Sequence, residues 1–193
     1  MRDLDSVSWI GAPEEVVRII DPRYLDEARF DFPKYVRNVL AGSQRHGGRF
    51  NPRGEFGAIY TTSVDNVAWR EAYNRWRTDG FPGLPQRMGI LRILISAGRV
   101  ADLTGQVGQE EWEIDRETLI AERPTGEQKQ ACLSVARGVR VICDILRTES
   151  ARADGENLVL YPDRADSELE FEFYSDREEP TPSEFTVIPE ERW

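Results

Sequence analysis

The chain contains 193 residues, of which 39% are hydrophobic and 31% are charged. These proportions are typical of one globular domain, expected to span residues 1–193, and the lack of a long apolar run argues against a membrane span. The formal net charge of −10 argues against direct contact with nucleic acid, because phosphate groups repel an acidic surface.

The first half of the chain predicts two helices and two strands. Residues 13–20, PEEVVRII, have proline and glutamates in a first turn and predict a short helix. Residues 48–51 and 57–62 predict short strands joined by the turn NPRGEF. Ser63 is the expected N-cap of a helix of about fifteen residues that ends at Gly80.

The centre of the chain predicts a buried strand followed by helices. Residues 88–96, MGILRILIS, have the strongest strand pattern, and residues 100–105 either continue that strand or pair near it. Residues 109–137 are helical in pattern, with a break near Pro124. Two further core strands are predicted at residues 139–146 and 157–162.

The C-terminal segment, residues 165–193, carries most of the negative charge, with ten acidic residues and two arginines. Within it, Leu169, Phe171 and Phe173 alternate with glutamates. This period of two predicts a half-buried strand with one acidic face. Three prolines mark a loose tail after it, namely Pro180, Pro182 and Pro189.

The order of these elements indicates the fold class. Strands and helices do not alternate regularly, which argues against a doubly wound parallel sheet. The sequence therefore predicts an α+β protein, in which a mixed sheet of about six to eight short strands is flanked by helices.

Several common catalytic centres are disfavoured by composition. His46 is the only histidine and stands beside two glycines, which argues against a serine or cysteine triad. Cys132 and Cys143 lack the spacing of a zinc site and are expected to be reduced thiols of a cytoplasmic protein. Neither glycine-rich nucleotide motif is present. Catalysis is therefore expected to use arginine, tyrosine, glutamate and serine without a metal.

A glutamate interrupts the apolar stripe of the second predicted helix. Val64, Val67 and Ala68 begin a stripe at helical spacing, and its next position is Glu71. A carboxylate on an inward face costs desolvation energy unless a partner compensates it. Two interpretations stay open: a structural ion pair with an arginine such as Arg49, or a carboxylate directed into a cleft.

The segment GGRFNPRGEFGAIY, residues 47–60, combines glycines with arginines. Gly48 allows the backbone to approach a ligand closely, and the planar guanidinium of Arg49 suits diphosphate oxygens. The alternative for Arg49 is a solvated turn residue. Tyr60 is either a core aromatic residue or a wall on which a flat ring stacks.

A second polar segment, TESARADGEN, joins the last two predicted core strands. Ser150 in this segment is either a turn former or a group that orients a glutamate or a ribose hydroxyl. Arg152 adds positive charge, and Asn157 begins the next strand. No base lies near Ser150 in the sequence to activate it as a nucleophile.

Together these segments resemble the RES domain family, which is named for arginine, glutamate and serine. Residues 47–72, GGRFNPRGEFGAIYTTSVDNVAWREA, are similar to its glycine–arginine segment, tyrosine-bearing strand and glutamate-bearing helix. Residues 149–161, ESARADGENLVLY, are similar to its serine–alanine–arginine loop and the asparagine-led strand. The resemblance covers residues 43–161 and does not extend to the acidic segment. Phe50 stands where the family usually has tryptophan.

The resemblance implies a split mixed sheet similar to the ADP-ribosyltransferase catalytic core, with a cleft for NAD+. Members of the family resemble toxins of two-gene toxin–antitoxin modules. They consume NAD+ by hydrolysis or phosphorolysis of the nicotinamide–ribose bond, which implies growth arrest by NAD+ depletion. Matched by position, the functional residues are Arg49, Tyr60, Glu71 and Ser150, and the further residues expected to contact NAD+ are Gly48, Asn51 and Arg152.

Each matched residue has an expected role in such a reaction. Arg49 is expected to anchor the diphosphate or adjacent ribose, and Tyr60 to stack against nicotinamide. Glu71 is expected to bind the ribose 2′-hydroxyl and stabilise developing positive charge, and Ser150 to hold Glu71 or the ribose. Nicotinamide leaves as a neutral ring, so no general acid is required.

Other functional classes stay open. A protein ADP-ribosyltransferase would use the same cleft, and a non-enzymatic partner-binding protein would use the acidic segment to contact a basic surface. The resemblance implies an Xre-type antitoxin that covers the active site. A homo-oligomer and a toxin–antitoxin hetero-oligomer are both compatible with the sequence.

Overall fold

A computed structural model describes residues 4–78 and 83–185. The strands among these residues are β1 (Val7–Trp9), β2 (Glu14–Ile20), β3 (Ile59–Thr62), β4 (Arg87–Ala97), β5 (Arg99–Asp102), β6 (Ile145–Glu149), β7 (Glu156–Leu160) and β8 (Glu170–Pro180). The α-helices are α1 (Leu25–Phe30), α2 (Phe32–His46), α3 (Asp65–Thr78), α4 (Gln106–Glu111), α5 (Arg116–Ile120) and α6 (Gly126–Ile142). Short 3-10 helices lie at Pro22–Tyr24 and Ser183–Phe185.

The strands form one mixed sheet in the order β1-β5-β6-β7-β3-β2-β4-β8. Neighbouring strands are antiparallel, except that β5 and β6 are parallel. β2 pairs with β4 over residues 14–20, but it pairs with β3 only through Val17 opposite Thr62. The sheet is therefore split between β2 and β3.

Helices cover both faces of this sheet. On one face, α5 and α6 bury a cluster that includes Leu146 and Val159, and α3 buries a second cluster that includes Val17 and Ala68. On the other face, α1 and α2 cover a third cluster around Tyr35. The first face has two separate clusters on either side of β3, and the candidate site lies between them.

The predicted α+β class with a mixed, split sheet is confirmed. The long strand predicted at residues 88–96 is β4, and residues 100–105 begin as β5, which pairs with β1 and β6. The region 109–137 is mostly helical, as predicted, with the expected break around Pro124 between α5 and α6 and a further break at residues 112–115 between α4 and α5. The strand predicted at residues 157–162 is β7.

The predicted acidic strand is β8, which pairs with β4 at one edge of the sheet. Its apolar residues Phe171 and Phe173, with Leu169 just before it, pack against the cluster beneath α1 and α2. The predicted half-buried strand is therefore confirmed. Of the predicted tail, Pro189 lies outside the described residues.

The helix predicted after Ser63 is α3, which begins at Asp65, one residue later than expected. The first backbone hydrogen bond of the helix runs from the Ala68 amide to the Val64 carbonyl. The Ser63 hydroxyl accepts a hydrogen bond from the Glu156 amide at 3.0 Å and so joins the start of α3 to the start of β7. Gly80, the predicted end of the helix, lies outside the described residues.

The helix predicted at residues 13–20 is wrong, because Glu14–Ile20 form strand β2. Valine and isoleucine dominate this segment, and β-branched side chains favour strands. Val16 packs on one face of the sheet and Val17 on the other. Burial on both faces outweighs the proline and glutamates that resembled a helix start.

The strand predicted at residues 48–51 is also wrong. The Gly48 amide donates to the Asn51 carbonyl at 2.8 Å, which closes a turn, and the preceding Gly47 has a φ of +70°. This left-handed conformation is open to glycine and interrupts any strand. Of the strand predicted at residues 57–62, Ile59–Thr62 form β3.

The strand predicted at residues 139–146 begins too early. α6 continues to Ile142, with the Cys143 amide bonded to the Val139 carbonyl at 2.7 Å, and β6 begins at Ile145. A short continuous apolar run satisfies a helix face and a buried strand equally. Residues 139–142 are helical because a capping box at Thr125 fixes the start of α6 and because α6 packs onto the sheet.

Helices α1 and α2 were not among the predicted elements. α2 begins with the Asp31 side chain accepting a hydrogen bond from the Lys34 amide at 3.0 Å, and it ends at Gly47. It brings the glycine–arginine segment to the edge of β3. The two cysteines are buried and unlinked, as expected, and none of the described helices is long and apolar enough to cross a membrane.

Candidate functional site

The predicted site residues come from four separate pieces of chain. The turn after α2 carries Arg49, β3 carries Tyr60, α3 carries Glu71, and the β6–β7 loop carries Ser150 and Arg152. β3 and β7 are paired, so the loop and the strand lie side by side at the split in the sheet. The fold thus brings the two polar segments together, although about a hundred residues separate them in sequence.

The turn after α2 is closed tightly over Tyr60. A Cβ atom on Gly48 would lie 2.4 Å from the Tyr60 hydroxyl and 2.7 Å from Asn51 Oδ1. These distances leave no room for any side chain at position 48. Gly48 is therefore required by packing inside the protein, and its role is to let the turn sit on Tyr60.

The Tyr60 hydroxyl is held inside this turn. It accepts a hydrogen bond from the Phe50 amide at 2.9 Å and donates one to Asn51 Oδ1 at 2.8 Å. Burial raises the pKa of this hydroxyl well above its ordinary range. The hydroxyl end is enclosed, and the residue as a whole is partly buried, with its ring packed against the cluster beneath α6.

Asn51 is fully buried behind Tyr60. Its Nδ2 donates to the carbonyls of Ser43 at 2.9 Å and Phe56 at 3.3 Å. Every one of these contacts is internal to the turn and α2. The arrangement suits Asn51 to fixing Tyr60, whereas the sequence predicted a contact with NAD+.

Arg49 extends from the turn to the end of α5. Its Nη1 donates to the Leu119 carbonyl at 2.7 Å, and its Nη2 donates to the Ala121 carbonyl. Carbonyls at the end of a helix have no partner within the helix, so the guanidinium satisfies them. This contact fixes the guanidinium plane at the side of the cleft.

Arg49 is a half-buried cation with no carboxylate within ion-pair distance among the described residues. Burial lowers the pKa of the Arg49 guanidinium, the Glu71 carboxylate opposes this shift, and Arg152 adds to it. These three charged groups therefore lie close enough to influence one another. A partly desolvated cation without a paired anion is a favourable place for a ligand anion.

Glu71 is held by two neutral groups. Its Oε1 accepts hydrogen bonds from Ser150 Oγ at 3.2 Å and from Asn157 Nδ2 at 3.2 Å. No described residue donates a hydrogen bond to the other oxygen, Oε2, and none forms an ion pair with this carboxylate. The structural ion pair considered from the sequence is thus not formed among these residues.

The loop that carries Ser150 is itself rigidly folded. The Ser150 hydroxyl accepts a hydrogen bond from the Arg152 amide at 3.1 Å, and its amide donates to the Gly155 carbonyl at 2.9 Å. Gly155 has a φ of +145°, and a Cβ there would lie 2.7 Å from Val67 Cγ2 on α3. The loop therefore packs directly against the helix that carries Glu71.

Arg152 contacts the same short segment as Arg49. Its Nη2 donates to the Glu122 carbonyl at 3.0 Å, and its Nη1 lies 3.6 Å from the Glu122 carboxylate. Glu122 is largely exposed, so this ion pair is weak. The two guanidinium groups thus flank residues 119–122 beside the cleft.

Together, these contacts make a polar site with a defined chemistry. It combines two cations, a partly buried aromatic residue and a carboxylate with one oxygen that accepts no hydrogen bond from the described residues. Such a set can bind an anion, stack a flat ring and stabilise positive charge. Among residues 4–78 and 83–185, no group of histidine, cysteine or acidic side chains is arranged to hold a metal.

Asn157 is the residue that sequence reasoning did not include in the site. Its place at the start of β7 was recognised, but its contact with Glu71 depends on the pairing of β7 with β3. It shares a sheet face with Val159 and Tyr161, which pack beneath α6. A polar residue at the end of such an apolar stripe is the signal in the sequence that indicates this position.

Substitution of Gly48 by alanine is expected to destabilise the protein by about 1–3 kcal/mol, because the new methyl group would displace Tyr60 and Asn51. The melting temperature should fall by several degrees, about 2–10 °C. Gly42→Ala is the matched control, since it lies in α2 with open space around it and alanine favours helices. A melting temperature for Gly48→Ala at or above that of the unmodified protein would contradict this assignment.

Comparisons with known proteins identify the fold and the family of this chain. A chain of the MbcT–MbcA toxin–antitoxin complex of M. tuberculosis has a similar fold, with a TM-score of 0.64 and 18% sequence identity. The match covers 90% of this chain and 87% of that chain. Comparison with curated proteins finds no match. The family model described as RES domain matches residues 15–181, and the chain therefore belongs to the RES domain family.

Proposed function

We propose that this protein is a toxin that consumes NAD+ by cleaving the bond between nicotinamide and ribose. The observation that carries this proposal is Glu71, whose Oε1 is held by Ser150 and Asn157 while its Oε2 has no described protein donor. A carboxylate fixed in this way is suited to a sugar hydroxyl and to developing positive charge. It stands beside a cation, Arg49, that lacks a carboxylate partner among the described residues.

The proposed binding mode assigns the two ends of the cleft to two parts of NAD+. Arg49 and Arg152 bind the diphosphate, because guanidinium groups match phosphate oxygens in charge and geometry. Arg49 uses two N–H groups for the carbonyls of α5, and its remaining donors are available to the ligand. In this binding mode the ring of Tyr60, a partly buried residue, stacks against nicotinamide.

In the proposed reaction, the C–N bond between ribose and nicotinamide breaks and the electron pair leaves with the ring. Nicotinamide, a pyridinium in NAD+, departs neutral, so no protein group has to protonate it. Positive charge develops on the ribose in an oxocarbenium-like transition state. A water molecule then forms the new C–O bond and loses one proton, which gives ADP-ribose, or phosphate forms it and gives ADP-ribose 1″-phosphate.

Glu71 has the central role in this scheme. Its Oε2 accepts a hydrogen bond from the ribose 2′-hydroxyl, and the carboxylate charge stabilises the oxocarbenium ion. Ser150 and Asn157 hold the other oxygen and so fix the orientation of the carboxylate. Asn51 and Gly48 act indirectly, since they fix Tyr60 from inside the turn.

We propose further that an antitoxin of Xre type restrains this activity in the cytoplasm by covering the cleft. The support is membership of the RES domain family and the fold shared with a chain of a toxin–antitoxin complex. The buried, unlinked cysteines are compatible with a reducing compartment.

The proposal is tested by identifying the product. The purified chain is incubated with NAD+ in buffer, in buffer with phosphate, and with cell lysate. Free ADP-ribose or ADP-ribose 1″-phosphate supports it and identifies the acceptor. Labelled lysate protein without either product would instead indicate a protein ADP-ribosyltransferase, and unchanged, unbound NAD+ would indicate a partner-binding protein.

A further inference from the structure

The split in the sheet is bridged by an arginine side chain. β2 and β3 form a single residue pair, Val17 opposite Thr62, and then diverge. Beyond that pair, Arg18 Nη1 on β2 donates to the backbone carbonyl of Tyr60 on β3 at 2.6 Å. In a continuous sheet a backbone amide of the neighbouring strand would donate to this carbonyl. Here the Arg18 side chain donates in place of that amide.

Arg18 reaches the split from the face opposite the cleft. Val16 and Ile20, its neighbours at alternate positions of β2, belong to the cluster covered by α1 and α2. The Tyr60 side chain packs on the other face, against the cluster of α6. Arg18 therefore contacts Tyr60 only through the backbone carbonyl. The side chains of the two residues lie on opposite faces of the sheet.

Arg18 and its neighbour Tyr35 each have a buried polar atom without a hydrogen-bond partner. These atoms are the Nε of Arg18 and the hydroxyl oxygen of Tyr35. Burial raises the pKa of Tyr35, and the Arg18 guanidinium opposes that shift, which indicates that the two side chains are close. No carboxylate lies within ion-pair distance of Arg18 in the described parts of the chain.

Buried polar atoms without partners cost free energy in a core, and the Nε of Arg18 and the hydroxyl of Tyr35 are two such atoms. An apolar residue at position 18 would remove one of them, but it would leave the Tyr60 carbonyl without this donor at the point where β3 leaves β2. What the arginine supplies is therefore the hydrogen bond across the split.

We propose that Arg18 is a positioning residue for the cleft: it fixes the backbone of Tyr60 across the split and so sets where the ring meets the substrate. The proposal rests on the proposed NAD+ chemistry for its activity readout. Its structural readout, the protection of the strand that carries Tyr60, is independent of any substrate.

The test uses Arg18→Met, which keeps the length of the side chain and removes the donor, and Arg18→Lys, which keeps the charge. Arg87→Met is the matched control, because Arg87 also lies on a strand of the sheet but bonds to Glu178 on β8, away from the split. Three quantities are measured for each variant: melting temperature, amide hydrogen exchange of residues 59–62, and kcat/KM for NAD+ consumption.

We expect the melting temperature of Arg18→Met to change by only a few degrees, because removal of the unpartnered Nε is favourable and loss of the donor to the Tyr60 carbonyl is unfavourable. Exchange of residues 59–62 should be about tenfold faster, and kcat/KM about 10- to 100-fold lower. Arg18→Lys should be intermediate in both, and Arg87→Met should be unchanged in both.

Unchanged exchange and unchanged kcat/KM in Arg18→Met would overturn the proposal. Loss of folding in both Arg18 variants would also overturn it, because Arg18 would then be a structural residue. If the unmodified protein does not consume NAD+, the proposed function fails, and the exchange rates alone still support or reject the role of Arg18.

Discussion

The Glu71→Gln protein is expected to fold normally and to lose NAD+ consumption by about 10²- to 10³-fold. Glutamine keeps the shape of the side chain, and its amide oxygen still accepts the hydrogen bonds of Ser150 and Asn157. The negative charge that would stabilise an oxocarbenium ion is lost. The defect should therefore appear in kcat with a small change in KM, and steady-state kinetics measure both.

The matched control is Glu127→Gln, an exposed glutamate in the first turn of α6. It makes the same chemical change away from the cleft and should leave kcat and KM within about twofold of the unmodified protein. A Glu71→Gln protein that consumes NAD+ at the normal rate would show that Glu71 is a structural residue and that the mechanism is wrong.

Arg49→Met is expected to weaken the binding of NAD+, and kcat/KM should fall by about 10- to 100-fold, because a charge-assisted contact with the diphosphate contributes about 1.5–3 kcal/mol. The melting temperature should change by only a few degrees. The variant removes a partly desolvated cation, which is favourable, and leaves the carbonyls of Leu119 and Ala121 without a donor, which is unfavourable.

Calorimetric titration with NAD+ and with ADP-ribose measures the affinity of each ligand. Because ADP-ribose contains the diphosphate but lacks nicotinamide, the two titrations distinguish contacts with these two groups. If Arg49 binds the diphosphate, Arg49→Met should weaken both ligands equally, since both contain that group. Arg45→Met, a variant of an exposed arginine at the end of α2, serves as the control for net charge. Equal affinities for the Arg49→Met, Arg45→Met and unmodified proteins would refute an anchoring role for Arg49.

The sequence predicts the elements whose patterns are long and one-sided. β4 is a long and mostly apolar strand, and β8 begins with strict alternation, so each pattern is recognisable without knowledge of its partner strand. α3 has a full apolar stripe interrupted at one position, and that interruption correctly marked Glu71 as unusual. The mixed class also follows, because these elements do not alternate as strand and helix.

Elements whose identity depends on tertiary packing could not be predicted in the same way. Residues 13–20 contain both a helix-start signal and β-branched residues, and only their position between β3 and β4 decides for the strand. The boundary between α6 and β6 lies within one apolar run, where no periodicity distinguishes the two. The end of α6 and the start of β6 are fixed by the pairing of Ile145 with β5 and β7.

The candidate site was predictable as a set of residues but not as a set of contacts. Arg49, Tyr60 and Ser150 are predicted from two polar segments, Glu71 is predicted from the interrupted stripe of α3, and the family resemblance joins the four. The contact of Arg49 with α5 depends on residues 70 positions away, and the enclosure of the Tyr60 hydroxyl depends on the exact shape of its turn, so neither carries a signal in the sequence. Asn157 reaches Glu71 only because β7 pairs with β3.

The decisive experiment follows the release of nicotinamide from NAD+ by chromatography, with the purified protein separated from any antitoxin. Each NAD+ consumed should yield one nicotinamide, and the Glu71→Gln protein should release it at least about a hundredfold more slowly. NAD+ that stays intact in the presence of the folded, unmodified protein would contradict the central claim that this cleft breaks the nicotinamide–ribose bond.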